Sequence, residues 1–163
     1  MRNLMNDPLA TYLNDHLGGS SFAIELLESL RDGHIGQPLG VLAEKLLAEV
    51  LDDRKVLLQI AERVGTGSPD LKQAAGWIVE KVSRIKLQSD SDGGLGVFES
   101  LETLALGILG KASLWRALSV LRQFDPRVAT QDYDRLAQRA QSQHDRVEAH
   151  RLRLVPETFT PAP

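Results

Sequence analysis

Between residues 39 and 64 one stretch limits the possible folds more than any other. Apolar side chains return there in alternating steps of four and three: Leu39, Ala43, Leu46, Val50, then Asp53, then Leu57, Ile60 and Val64. Steps of that size stack side chains on one face of an α-helix, because 3.6 residues make a turn. A strand would need alternation in twos. The spacing predicts a single helix from Pro38 to Val64, roughly 40 Å long at ~1.5 Å per residue. A helix with one apolar stripe is stable only against partners, so others of similar length are required. The stripe also sets a problem. Asp53 lies on it, and a buried carboxylate costs free energy unless something satisfies it.

The partner helices are legible on both sides. Asp7 followed by Pro8 is a good helix start, since aspartate caps free backbone N–H groups and proline suits the first turn. The helix it opens carries Leu9, Leu13, Leu17, Ala23, Ile24, Leu27 and Leu30 and stops at "RDGHIGQP". "GTGSPD" closes the second helix, and a shorter one is expected over 70–87, with Leu71, Ala75, Ile78, Val82 and Ile85 on one stripe. After "SDSDGGLG" a helix is expected from Leu95 to Phe124 and, beyond "DPRVAT", another from Gln131 to Leu154. Residues 1–154 read as one helical domain, and "VPETFTPAP" as an extended or flexible tail over 155–163. The fold class is therefore all-α. Short links make the first and last helix pairs antiparallel. The helix over 70–87 is long enough to carry the chain back along the bundle, so the second and third long helices run parallel.

Composition agrees and narrows the function. Aromatics are only 5% of the 163 residues, which suits a core of Leu, Ala, Val and Ile between helices. The formal net charge of -3 does not favour a nucleic-acid partner. The charge is uneven: residues 1–110 hold 10 basic and 16 acidic side chains, residues 111–163 hold 9 and 6. With no cysteine, thiolate metal sites, disulfides and cysteine nucleophiles are excluded. No signal-peptide pattern and no run near the ~20 apolar residues of a membrane span are expected, which points to the cytoplasm.

The segments "DHLGGSSFAIELLESL", "IVEKVSRIKL" and "LETLALGILGKASLWRAL" together resemble an uncharacterised bacterial family of ferritin-like helical bundles, over roughly residues 8–154. The resemblance implies a ferritin-like four-helix bundle with one long crossover holding an additional shorter helix. It implies no activity, since that family has none assigned.

Metal-bearing bundles of this kind use a Glu on each of two helices and a Glu-x-x-His on each of the other two. No glutamate here is followed three residues later by histidine; the four histidines are His16, His34, His144 and His150. The standard di-metal motif is absent, and no cofactor is expected. Carboxylates do gather near helix ends: Glu25 and Glu28, Glu44, Glu99 and Glu102, Asp145 and Glu148. A nonstandard oxygen-rich metal site at Glu28, Glu44, Glu102 and Glu148 is a weak alternative, with Glu102 expected to point inward. The bland reading is that these are solvated charges, some of them favoured by helix dipoles.

Register gives Asp53 its partners. With Arg31 level with Pro38, position 53 falls opposite His16, while the third and fourth helices reach that level near Lys111 and Arg139. A buried polar layer of Asp53, His16 and Lys111 is expected. An ammonium among the ligands argues against a metal, and the layer would serve to fix helix register. The alternative is that Asp53 tunes His16 as a general base. Gly18 and Gly19 in the first helix and Gly107 and Gly110 in the third cost ~1 kcal/mol each relative to alanine. Close helix approach or a void for a small ligand would compensate. Trp77 and Trp115 read as packing anchors. The expected function is binding or assembly without redox chemistry, with a second copy or an unknown protein as partner. The alternatives are a metal-dependent enzyme near Glu102 and a small-ligand binder at the glycine-lined centre.

Overall fold

The computed structural model describes residues 7–66 and 94–160. Four long helices carry it: α1 (Pro8–Gly33), α2 (Pro38–Val64), α3 (Leu95–Leu121) and α4 (Tyr133–Arg153). Four of the boundaries have a plain local cause. Asp7 caps α1 by accepting the Leu9 amide at 3.0 Å, and Asp132 caps α4 by accepting that of Arg135 at 3.1 Å. Gly65 ends α2 at φ 81° and Gly94 opens α3 at φ 93°, backbone values that side chains with a Cβ rarely adopt. The chain between α3 and α4 turns through a short 3-10 segment, Pro126–Val128. The Tyr133 hydroxyl, fully buried, donates to the Val128 carbonyl at 2.6 Å and holds that turn against the core. The expected helix over 70–87, with Trp77, lies outside the described residues.

Side-chain pairs fix the directions. A four-residue link makes α1 and α2 antiparallel, and Arg54 of α2 reaches the Leu17 carbonyl of α1. Arg151 meets Glu102 at 3.1 Å and Ser119 meets Asp134 at 3.0 Å, so α3 and α4 are antiparallel too. Arg146 of α4 meets Glu49 of α2 at 2.6 Å, while near the other end Arg63 meets Thr130, just before α4. The second and fourth helices are thus antiparallel, and α2 runs parallel to α3. One core fills the space between them, with Leu13, Leu17, Leu46, Ile60, Leu114 and Trp115 at 1% exposure or less. Each such side chain contributes about 1.5–3 kcal/mol relative to leaving it in water.

Three expectations change here. The tail is not extended throughout: Val155–Phe159 form a short helix, α5, and the Phe159 ring meets Phe98 edge-on at 5.0 Å. An aromatic contact of that geometry offsets part of the entropy of ordering a chain end. The third helix stops at Leu121 rather than Phe124, which is 78% exposed and so adds little burial that would extend the helix. That helix is also apolar and long enough to span a membrane, at a mean hydropathy of 1.4, contrary to the expectation that no run approaches one. It packs against α1 and α4 here, and Lys111 sits near its middle.

Candidate functional site

The centre of the bundle holds a polar network on an otherwise apolar seam. Asp53 is 2% exposed. Its Oδ2 accepts from the Lys111 ammonium at 2.5 Å and from the Gln143 amide at 3.3 Å. Its Oδ1 accepts from Arg139. The Gln143 carbonyl oxygen accepts from Lys111 at 2.5 Å, and its amide nitrogen donates to Glu49 at 2.9 Å. Glu49 in turn accepts from Arg146 at 2.6 Å. The chain of contacts spans α2, α3 and α4 and leaves neither Asp53 oxygen unpaired.

Burial and charge act against one another in this layer. Burial lowers the Lys111 pKa, while the charge and hydrogen bond of Asp53 draw it the other way; burial prevails. Burial alone would raise the Glu49 carboxyl. The hydrogen bonds from Arg146 and Gln143, with the charges of Arg146 and Arg139, outweigh it and hold Glu49 below its ordinary value. The layer has two carboxylates and three cations, so it carries a surplus of positive charge.

Lys111 and Arg139 therefore sit with Asp53, but His16 does not. Its ring stands edge-on to Tyr12 at 4.7 Å, and it makes no hydrogen bond to Asp53. The reason is angular. One residue of register turns a helical side chain by ~100°, so a small slip along α1 takes the imidazole out of the layer. Burial holds His16 below its ordinary pKa, opposed in part by Asp15. Without a carboxylate orienting it, His16 does not form the base pair that general-base chemistry would use.

Three members were missed: Gln143, Glu49 and Arg146. Gln143 falls on the buried stripe of α4, in step with Tyr133, Ala137, Ala140 and Val147. That spacing was readable, but a neutral amide draws less attention than a charge. Glu49, half-buried on the flank of α2, had no such signal.

Beside the layer lies a cavity of about 100 Å³ between α1, α2 and α3. Phe22, Ala23, Leu57, Leu104, Ile108 and Leu114 give it apolar walls. Its polar margin is His16, Ser20, Arg54, Thr103, Asp53 and Lys111. Gly19 and Gly107 line it; Gly18 and Gly110 do not. A Cβ built on Gly19, Gly107 or Gly110 would meet nothing within 4 Å, so close helix approach does not explain these three. Gly40 does mediate a close approach: a Cβ there would stand 2.1 Å from the His34 carbonyl oxygen.

The carboxylate cluster does not assemble. Glu28, Glu44 and Glu102 are exposed, and Glu102 meets Arg151 instead of turning inward. Phe98, Leu101 and Ala105 take the inward positions, and Glu102 stands one residue off that stripe. Glu148 is held by the same arginine at 2.6 Å. Among the described residues no group of three or more His, Asp or Glu side chains could hold a metal ion. No family model, curated protein or solved structure matches this chain.

Proposed function

We propose that the chain is a ferritin-like four-helix bundle that has no di-metal centre and binds a small ligand in the cavity beside the Asp53 layer. The observation that carries this is the cavity itself: an apolar chamber with a short polar margin, flanked by two helical glycines whose missing side chains nothing else replaces. Mostly apolar concave sites with a few placed polar groups are the usual form of ligand pockets. The helix directions support the ferritin-like reading, with two antiparallel pairs and α2 parallel to α3. The polar layer is structural in this scheme. It pins the level of three helices and forms one wall of the chamber. Both of its carboxylates accept hydrogen bonds from cationic side chains, which supports a structural role for the layer.

The experiment is a methyl-NMR titration with neutral probes of four to six heavy atoms, butanol and benzene, at millimolar concentration. The methyl signals of Ala23, Leu104 and Ile108 should shift, and Gly107→Phe, which narrows the chamber, should suppress the shift. If neither probe moves those signals, or Gly107→Phe leaves them moving as before, the cavity is not a binding site.

A further inference from the structure

Among the described residues, Arg54 is a cation of the chamber that no carboxylate neutralises. Arg54 is half-buried and lines the cavity from α2. Its Nη1 donates to the Leu17 carbonyl at 2.7 Å and to the Ser20 hydroxyl. Both acceptors are neutral. Its Nη2 and Nε make no hydrogen bond among the described residues, and neither is sealed away from solvent-sized space. No salt bridge to Arg54 exists among the described residues, whereas Lys111, Arg139 and Arg146 each have a carboxylate. Burial without a counter-charge pulls the Arg54 pKa down. The guanidinium is thus anchored by one nitrogen and presents the rest of its planar fork unpaired.

A second observation lies deeper in the same chamber. Trp115 is 1% exposed and lines the cavity, and its indole Nε1 has no hydrogen-bond partner. The Trp115 ring lines the chamber but its Nε1 has no surface open to it, so the unpaired donors the chamber offers are those of Arg54. Asp53 also borders it, but Lys111 and Arg139 more than match its charge. The polar margin therefore favours an anion over a cation.

From this we infer that the ligand is a short-chain carboxylate, its two oxygens paired with the free face of Arg54 and its alkyl chain laid against Leu104, Ile108 and Trp115. This rests on the cavity being a binding site, as proposed above. A planar guanidinium matches a carboxylate in two parallel N–H···O bonds, which an alcohol or amine cannot reproduce. Size sets the chain length. A dry cavity of about 150 Å³ takes the six carbons of benzene, so about 100 Å³ suits an alkyl chain of roughly three to four carbons with the carboxylate at the margin.

The test compares butyrate, butanol and butylammonium by the same methyl-NMR titration at constant ionic strength. Butyrate should bind about tenfold to hundredfold more tightly than butanol, the range of one charge-assisted paired contact, and butylammonium more weakly than either. In Arg54→Met the preference for butyrate should fall to within about twofold of butanol, with butanol affinity kept. Arg54→Lys retains charge without the fork and should give an intermediate preference, which guards against Arg54→Met simply failing to fold. Equal binding of butyrate and butanol by the parent protein would overturn the carboxylate inference while leaving the cavity reading intact. Binding of none of the three would overturn both.

Discussion

Replacing Asp53 by alanine tests the central layer directly. The substitution removes a carboxylate whose side chain is 3% exposed and leaves two cations facing each other across the seam. Breaking a buried ion pair from one side costs about 3–5 kcal/mol when the remaining charge stays buried. Arg139 limits that cost, because its side chain is 36% exposed and can turn to water. Lys111, at 16%, has less room to escape. The expected loss is therefore about 2–4 kcal/mol, mostly from Lys111. For a chain of this length each kcal/mol moves the melting temperature by about 2–4 °C, so thermal unfolding should shift down by roughly 5–15 °C.

Two further measurements separate this account from simple loss of packing. In Asp53→Ala only the more distant charge of Glu49 still draws the Lys111 pKa up, so it falls further below its ordinary value of 10.5. The unfolded chain then binds more protons than the folded one across the window between the two pKa values, and stability rises with pH there. The deficit of the variant should shrink as the buffer goes from pH 7 to pH 10. Pairing the substitution with Lys111→Met removes both charges and should recover at least half the loss, since an apolar pair can replace a buried ion pair at little cost. A melting temperature for Asp53→Ala within about 2 °C of the parent would refute the reasoning. So would a double variant whose loss is the plain sum of the two single ones.

The glycines make a paired prediction. Gly110→Ala should raise stability by about 0.5–1 kcal/mol in chemical denaturation, because its Cβ enters open space on a helix. Gly40→Ala should lower it by about 1–3 kcal/mol, because its Cβ strikes the His34 carbonyl; equal effects at both sites would contradict the packing described. Acid should weaken the fold through His16 and His150, both held by burial below the ordinary value of 6.5. The unfolded state takes up their protons first, so stability is full above pH ~6.5 and falls as pH drops below it. Urea midpoints measured from pH 7.5 to 5 should decline, with a shallower slope in His16→Gln; an unchanged slope would remove His16 from the account.

Local periodicity determined the four long helices, because each buries its stripe by the same 3.6-residue repeat whatever its neighbours are. It put Asp53 on a seam, and counting along antiparallel and parallel helices brought Lys111 and Arg139 to the same level. Gln143 was equally readable, since it lies in step with Ala140 and Val147 on the buried face of its helix. His16 and Glu102 went astray for one reason. A step of a single residue rotates a side chain by ~100°, and the periodic pattern does not place a borderline residue to better than that. The remaining features belong to the tertiary structure alone. Whether a helical glycine meets a neighbouring backbone or empty space depends on what stands opposite, so Gly40 and Gly107 look alike in the chain and differ entirely in the fold. An arginine without a counter-charge has the same cause. Arg54 follows two aspartates in sequence, but Asp53 is engaged by Lys111 and Arg139 and Asp52 pairs with Lys55. Only the packing of α1, α2 and α3 leaves its guanidinium facing a chamber.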